Sequence, residues 1–280
     1  MVASTAYLLI SHGSRDPRPQ EAMNRLADLV RKHLEAELQP SPISYVPDTL
    51  QRTSLGTSFS RQTLLLREPR LAVAQPLSSE VIVGTACLEL APIPLSEQIY
   101  EFGQRLIAAG VRKLKLLPVF LISGVHVTED IPAEVEKAEA LLGKSIELTL
   151  CPHLGSHNKI TEVVAKRLAS AGAERALLVA HGSRKPKGNK AIRGLARRLN
   201  TAVAYWSTPP DIETQVIELM QKGCQRLTIL PYFLFAGGIT DAITHRTEEL
   251  AERFPKISFR LLPTLGATDE IADLAVELIY

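Results

Sequence analysis

A chain of 280 residues, 45% hydrophobic and 22% charged, has room for two ordinary domains and the composition of a soluble globular protein. Its formal charge of +2 gives no general case for nucleic-acid binding, which usually demands a strongly basic face, so any anion recognition must be local. No apolar run approaches the ~18 residues of a spanning helix, no secretory leader opens the chain, and the three cysteines, Cys87, Cys151 and Cys224, suit neither a disulfide framework nor an iron–sulfur site. The expectation is a cytoplasmic protein with core thiols and neither membrane nor nucleic acid as partner.

The first apolar run, Tyr7 to Ile10, stops at Ser11-His12-Gly13-Ser14-Arg15 and leads into a helical pattern from Pro19 to Glu37. That is the signature of a buried parallel strand, a βα turn and a helix, with Ser14 or Asp16 available as cap. From about Gln39 to Ser79 the pattern breaks among Pro40, Pro42, Pro47, Pro69 and Pro76, an irregular insertion read as a surface loop or a lid. Order resumes with a strand over Val81 to Leu88, a helix from Leu95 to Ala109 and a stop at Gly110. A third strand, Lys113 to Phe120, a helix from Ile131 to Leu142, a fourth strand, Ile146 to Cys151, and a helix closing near Ala171 complete the half.

The same order then recurs. Ala176-Leu177-Leu178-Val179-Ala180-His181-Gly182-Ser183-Arg184 repeats the opening stretch, Leu230-Pro231-Tyr232-Phe233-Leu234 repeats Leu117 to Leu121, and Pro263-Thr264-Leu265-Gly266 repeats Pro152-His153-Leu154-Gly155. The halves divide near Gly172, giving domains 1–172 and 173–280. Each reads as a flavodoxin-like four-stranded parallel sheet with helices on both faces, an α/β fold in tandem.

In such sheets ligands bind beyond the carboxyl ends of the strands. His12, Glu89 and His126 all fall there in the first half. Two imidazoles and a carboxylate form a borderline-soft donor set suited to Fe, Co, Ni, Cu or Zn rather than Mg or Ca. The second half keeps His181, but Ile239 stands where His126 stands, and Trp206-Ser207-Thr208 brings no carboxylate to the place of Glu89. His245 lies about two turns further on. The halves are therefore expected to be asymmetric. His153 and His157 are read as capping or surface residues and His33 as an exposed helix residue.

His12-Gly13-Ser14-Arg15-Asp16-Pro17-Arg18, Leu88-Glu89-Leu90-Ala91, and Leu117 to Leu121 continuing through Gly124-Val125-His126-Val127-Thr128-Glu129-Asp130-Ile131-Pro132 resemble the motifs of the sirohydrochlorin chelatases, in their long, internally duplicated form. These are the ATP-independent class II enzymes of sirohaem and cobalamin synthesis. The resemblance covers both halves except the insertion. It implies insertion of Fe²⁺ or Co²⁺, with Ni²⁺ as a further candidate, into sirohydrochlorin, and no cofactor beyond the substrate metal. It also implies His12 and His126 as site histidines with Glu89 accompanying them, and a monomer arranged as a fused dimer. Sirohydrochlorin carries eight carboxylates, so Ser14, Arg15 and Arg18 at the first helix start are candidate substrate-binding residues. Two readings of other classes stand beside this one. A metal or tetrapyrrole carrier without turnover shares the histidines, whereas a flavodoxin-type phosphate site predicts a Ser/Thr/Gly-rich first turn without them.

Overall fold

In a computed structural model, residues 5–38, 81–172, 174–185 and 188–280 are described; the expected insertion at 39–79 lies outside them. The first half consists of β1 (Thr5–Ser11), α1 (Pro17–Leu38), β2 (Val83–Cys87), α2 (Leu95–Ala108), β3 (Lys113–Pro118), α3 (Ile131–Leu142), β4 (Glu147–Leu150) and α4 (Ile160–Ser170). The second consists of β5 (Arg175–Ala180), α5 (Lys190–Arg198), β6 (Ala202–Tyr205), α6 (Ile212–Gln221), β7 (Arg226–Pro231), α7 (Gly238–Arg253), β8 (Ser258–Leu261) and α8 (Asp269–Ile279). Each half forms a parallel four-stranded sheet, ordered β2-β1-β3-β4 and β6-β5-β7-β8.

The middle stretches of the central strands, Leu8 to Ile10, Leu116 to Pro118, Leu177 to Ala180 and Ile229 to Pro231, are apolar because both of their faces are covered. On one face of the first sheet, Leu8, Ile10, Leu114 and Leu116 pack with Ile99 of α2 and Ile131 of α3. In the second, Leu177, Val179 and Ile229 pack with Val216 of α6 and Ile243 of α7. The other faces meet in a single shared cluster. Leu9 and Leu117 of one sheet and Leu178 and Leu230 of the other enclose residues of α1, α4, α5 and α8. The two halves thus share a core on their facing sides. The order is α2α3, sheet, four shared helices, sheet, α6α7.

Polar contacts fasten this middle layer. His33 of α1 lies 2.6 Å from Asp273 and 3.0 Å from Asp269 of α8, and Lys159 lies 2.6 Å from Glu277. His33 is therefore not the exposed helix residue its own segment suggests, because its partners come from the other end of the chain. Hydrogen bonding to Asp269 raises its pKa, opposed by burial and reinforced by Asp273. His157 pairs with Glu277 at 3.1 Å and accepts from the Lys159 N–H at the start of α4. Cys151 and Cys224 are buried, Cys87 is half-buried, and all three are free thiols. No described helix is long and apolar enough to cross a membrane.

Candidate metal-presenting site at the first sheet's carboxyl edge

β1 has β2 on one side and β3 on the other, so its carboxyl end is the point where the strand order reverses and the following loops splay apart. His12, Glu89 and His126 follow β1, β2 and β3 at this point. The β1–β2 ladder continues past the strands, with Leu88 N–H donating to Ser11 O and Glu89 N–H to His12 O, each at 2.9 Å. Gly13 makes the close approach possible: it has φ +96°, and a Cβ there would lie 1.9 Å from Glu89 O. On the other side Val119 N–H donates to Ile10 O at 2.7 Å, tying down the loop that leads to His126.

The three side chains converge. Nε2 of His12 lies 3.9 Å from Glu89 Oε2, and Nε2 of His126 lies 4.0 Å from Glu89 Oε1. The imidazole centroids are 4.8 Å apart with planes at 84°, and Phe120 sits 6.4 Å from each ring. One ligand atom from each residue falls within 4.8 Å of the others. Ligand atoms bound tetrahedrally to one ion at ~2.1 Å are ~3.4 Å apart, so the set needs about 0.5–1.4 Å of closure. His12 and Glu89 are half exposed and His126 a third exposed, leaving coordination positions open to a second reactant.

A fourth residue belongs here that the sequence reading passed over. Asp130 Oδ2 lies 2.7 Å from His126 Nδ1. Its only signal is an i, i+4 spacing from the histidine, which on a helix marks a neighbouring pair.

The candidate substrate-binding residues divide. Ser14 and Arg15 are exposed, and Ser14 Oγ accepts from Asp16 N–H at 3.0 Å. Arg18 is committed elsewhere: its guanidinium is held by Asp16 at 2.5 Å and by Asp241 of α7 at 2.6 Å, which raises its pKa and lowers those of both carboxyls. As placed, it bridges the two halves rather than offering a free fork to a substrate carboxylate. Beside the loop preceding His126, a cavity of about 560 Å³ opens between the halves; Leu121, Ile122 and Ser123 face Lys190, Arg197 and Tyr232 across it.

In the second half, Ser207 N–H donates to His181 O at 2.9 Å, the bond Glu89 makes to His12, so Ser207 occupies the place of Glu89. Ile239 lies near the start of α7, partly exposed, and His245 pairs with Glu248 on the same helix at 3.4 Å. Among the described residues the first-half trio is the one group of three or more His, Cys, Asp or Glu side chains spaced to hold an ion.

Comparison with known proteins decides the family. The sequence model of CbiX matches residues 70–171 and again residues 175–280. The chain belongs to the CbiX family. A relative named sirohydrochlorin cobaltochelatase, from Methanosarcina barkeri, is 34% identical over 178 residues, 61% of this chain and 99% of its own. Two Priestia megaterium proteins, a sirohydrochlorin cobaltochelatase and a sirohydrochlorin ferrochelatase, are 22% and 24% identical over 67% and 70% of the chain. The match spans 65% of the length of the former and 76% of the latter. SirB from Bacillus subtilis, solved with Fe3+, superposes with TM-score 0.68 at 16% identity, covering 99% of this chain and 94% of its own. A structure of CbiX described as the terminal enzyme for siroheme biosynthesis in denitrifying bacteria gives 0.57 at 18% identity, over 98% and 97%. Both likenesses establish the fold, two tandem chelatase-like α/β domains.

Proposed function

We propose that this CbiX-family chain is an ATP-independent sirohydrochlorin chelatase that inserts Fe²⁺ or Co²⁺ into the macrocycle, with Ni²⁺ as a further candidate substrate. The observation carrying this reading is the convergence of His12, Glu89 and His126 on one ion-sized space. The names of the relatives support the substrate. In this reading residues 1–172 hold the metal and residues 173–280 complete the cleft, in a monomer acting in the cytoplasm without nucleic acid or membrane.

Insertion exchanges two pyrrole N–H protons for metal–nitrogen bonds, so the site must give up an ion and take up protons. His12 and His126 present the metal through Nε2 while Glu89 binds it or balances its charge. As each imidazole releases the ion, its freed lone pair is in place to take up a pyrrole proton. Two ligands released and two protons lost balance. Arg15, Ser14 and the cationic wall of the cavity beside the site receive the substrate's carboxylates.

Purified protein mixed with sirohydrochlorin and excess Co²⁺ tests this through the absorption change of the macrocycle. The expected result is many equivalents of metallated product per chain. One equivalent or less would show a carrier instead.

A further inference from the structure

We infer that Asp130 is the positioning residue of His126, and that one residue inserted in the first half, folded as a π-turn, is what allows it to act. The inference takes from the proposed function only that His126 is a ligand. Through the third strand of each half, equivalent residues lie 113 apart. Gly110 and Gly223 both have positive φ, and Val119 and Tyr232 make the same bond back to the first strand of their sheet, each at 2.7 Å. In the helices that follow, the buried positions Ile131, Val135 and Ala138 recur as Ile243, Thr247 and Leu250, now 112 apart (243 − 131). The first half therefore contains one more residue between Gly124 and Ile131.

That residue is absorbed in a π-turn over His126–Asp130, closed by the Ile131 N–H bonding to His126 O. Such turns are rare and recur at functional sites. Here the turn sets the His126 ring so that Nδ1 meets Asp130 at 2.7 Å while Nε2 faces Glu89 at 4.0 Å. A carboxylate accepting from Nδ1–H fixes the proton on that nitrogen and leaves the Nε2 lone pair for a metal. The second half lacks every part of the arrangement. α7 starts directly at Gly238, Ile239 replaces the histidine, and the residue preceding Ile243, as Asp130 precedes Ile131, is Ala242.

An exposed i, i+4 ion pair would have the same spacing but no effect on a metal. Asp130→Ala and Asp130→Glu in the full chain separate the two. ¹⁵N NMR of metal-free protein reads the His126 tautomer, and Co²⁺ titration without tetrapyrrole reads affinity through the visible absorption of the bound ion. The parent is expected to hold its proton on Nδ1. Asp130→Ala should lose that preference and bind Co²⁺ about 10–100-fold more weakly with its melting curve unchanged, and Asp130→Glu should recover part of both. An unchanged tautomer, or an affinity within about twofold of the parent, would overturn the inference, since that lies below the smallest effect expected of such a partner. If the parent bound no Co²⁺, the metal-site reading would fail while the tautomer still decided the role of Asp130.

Discussion

Gly13 shows how little freedom the site leaves at the level of single residues. An alanine there would have to hold φ near +96° with its Cβ 1.9 Å from Glu89 O. The dihedral alone costs on the order of 1–3 kcal/mol, and relieving the contact pushes the Glu89 backbone away from His12. Gly13→Ala should therefore lower stability in chemical denaturation and weaken Co²⁺ binding together; a variant as stable as the parent would contradict the packing described. His12 and Glu89 were legible in the sequence because apolar runs end just before them, and His126 because its motif sits at a third strand end. Asp130 was not, because a carboxylate early in a helix is equally explained by the helix dipole. The pairing of Arg18 was hidden for a related reason: its second carboxylate, Asp241, is 223 residues away.

Among the elements, the strands and helices of the first half were readable from apolar runs and helical spacing, down to the bounds of α3, and those of the second half from the repeat. The π-turn was not, since one extra residue leaves the helical periodicity on either side intact. Its trace is the shift in offset between the halves. Deleting Thr128 should convert the turn to regular α-helix, detach His126 from Asp130 and abolish tight Co²⁺ binding with little change in helix content; retained binding would count against the geometry. The α1–α8 clasp makes a pH prediction. Because the His33 pKa is raised in the folded state, chiefly by hydrogen bonding to Asp269, its contribution is fully present below the ordinary histidine value near 6.5 and is lost as pH rises through the folded value. Parent stability relative to His33→Gln should thus decline from mildly acid to alkaline pH in paired urea melts. A gap constant across that range would contradict the clasp.

Over the whole molecule, the duplication was plain in the repeated His-Gly-Ser-Arg, but the merging of two cores into one was not. Burial on α8 extends over Ile271, Ala272, Leu274, Ala275, Val276 and Ile279, a broad arc whose partners no periodicity can name. Since the middle layer belongs to both sheets, urea unfolding should follow one cooperative transition by fluorescence and by circular dichroism; two separated transitions would mean the halves are energetically independent. The same pseudo-symmetry makes the difference between the halves informative: the scaffold is shared while Ser207 and Ile239 stand where the first half has Glu89 and His126. The most direct experiment compares Co²⁺ insertion into sirohydrochlorin by His12→Ala, His126→Ala and His181→Ala. The first two should lose more than the roughly 10–100-fold typical of a residue that merely orients a ligand, and the third should keep most of the parent rate. Loss of activity in His181→Ala equal to that in His12→Ala would contradict a single metal-presenting site in the first half.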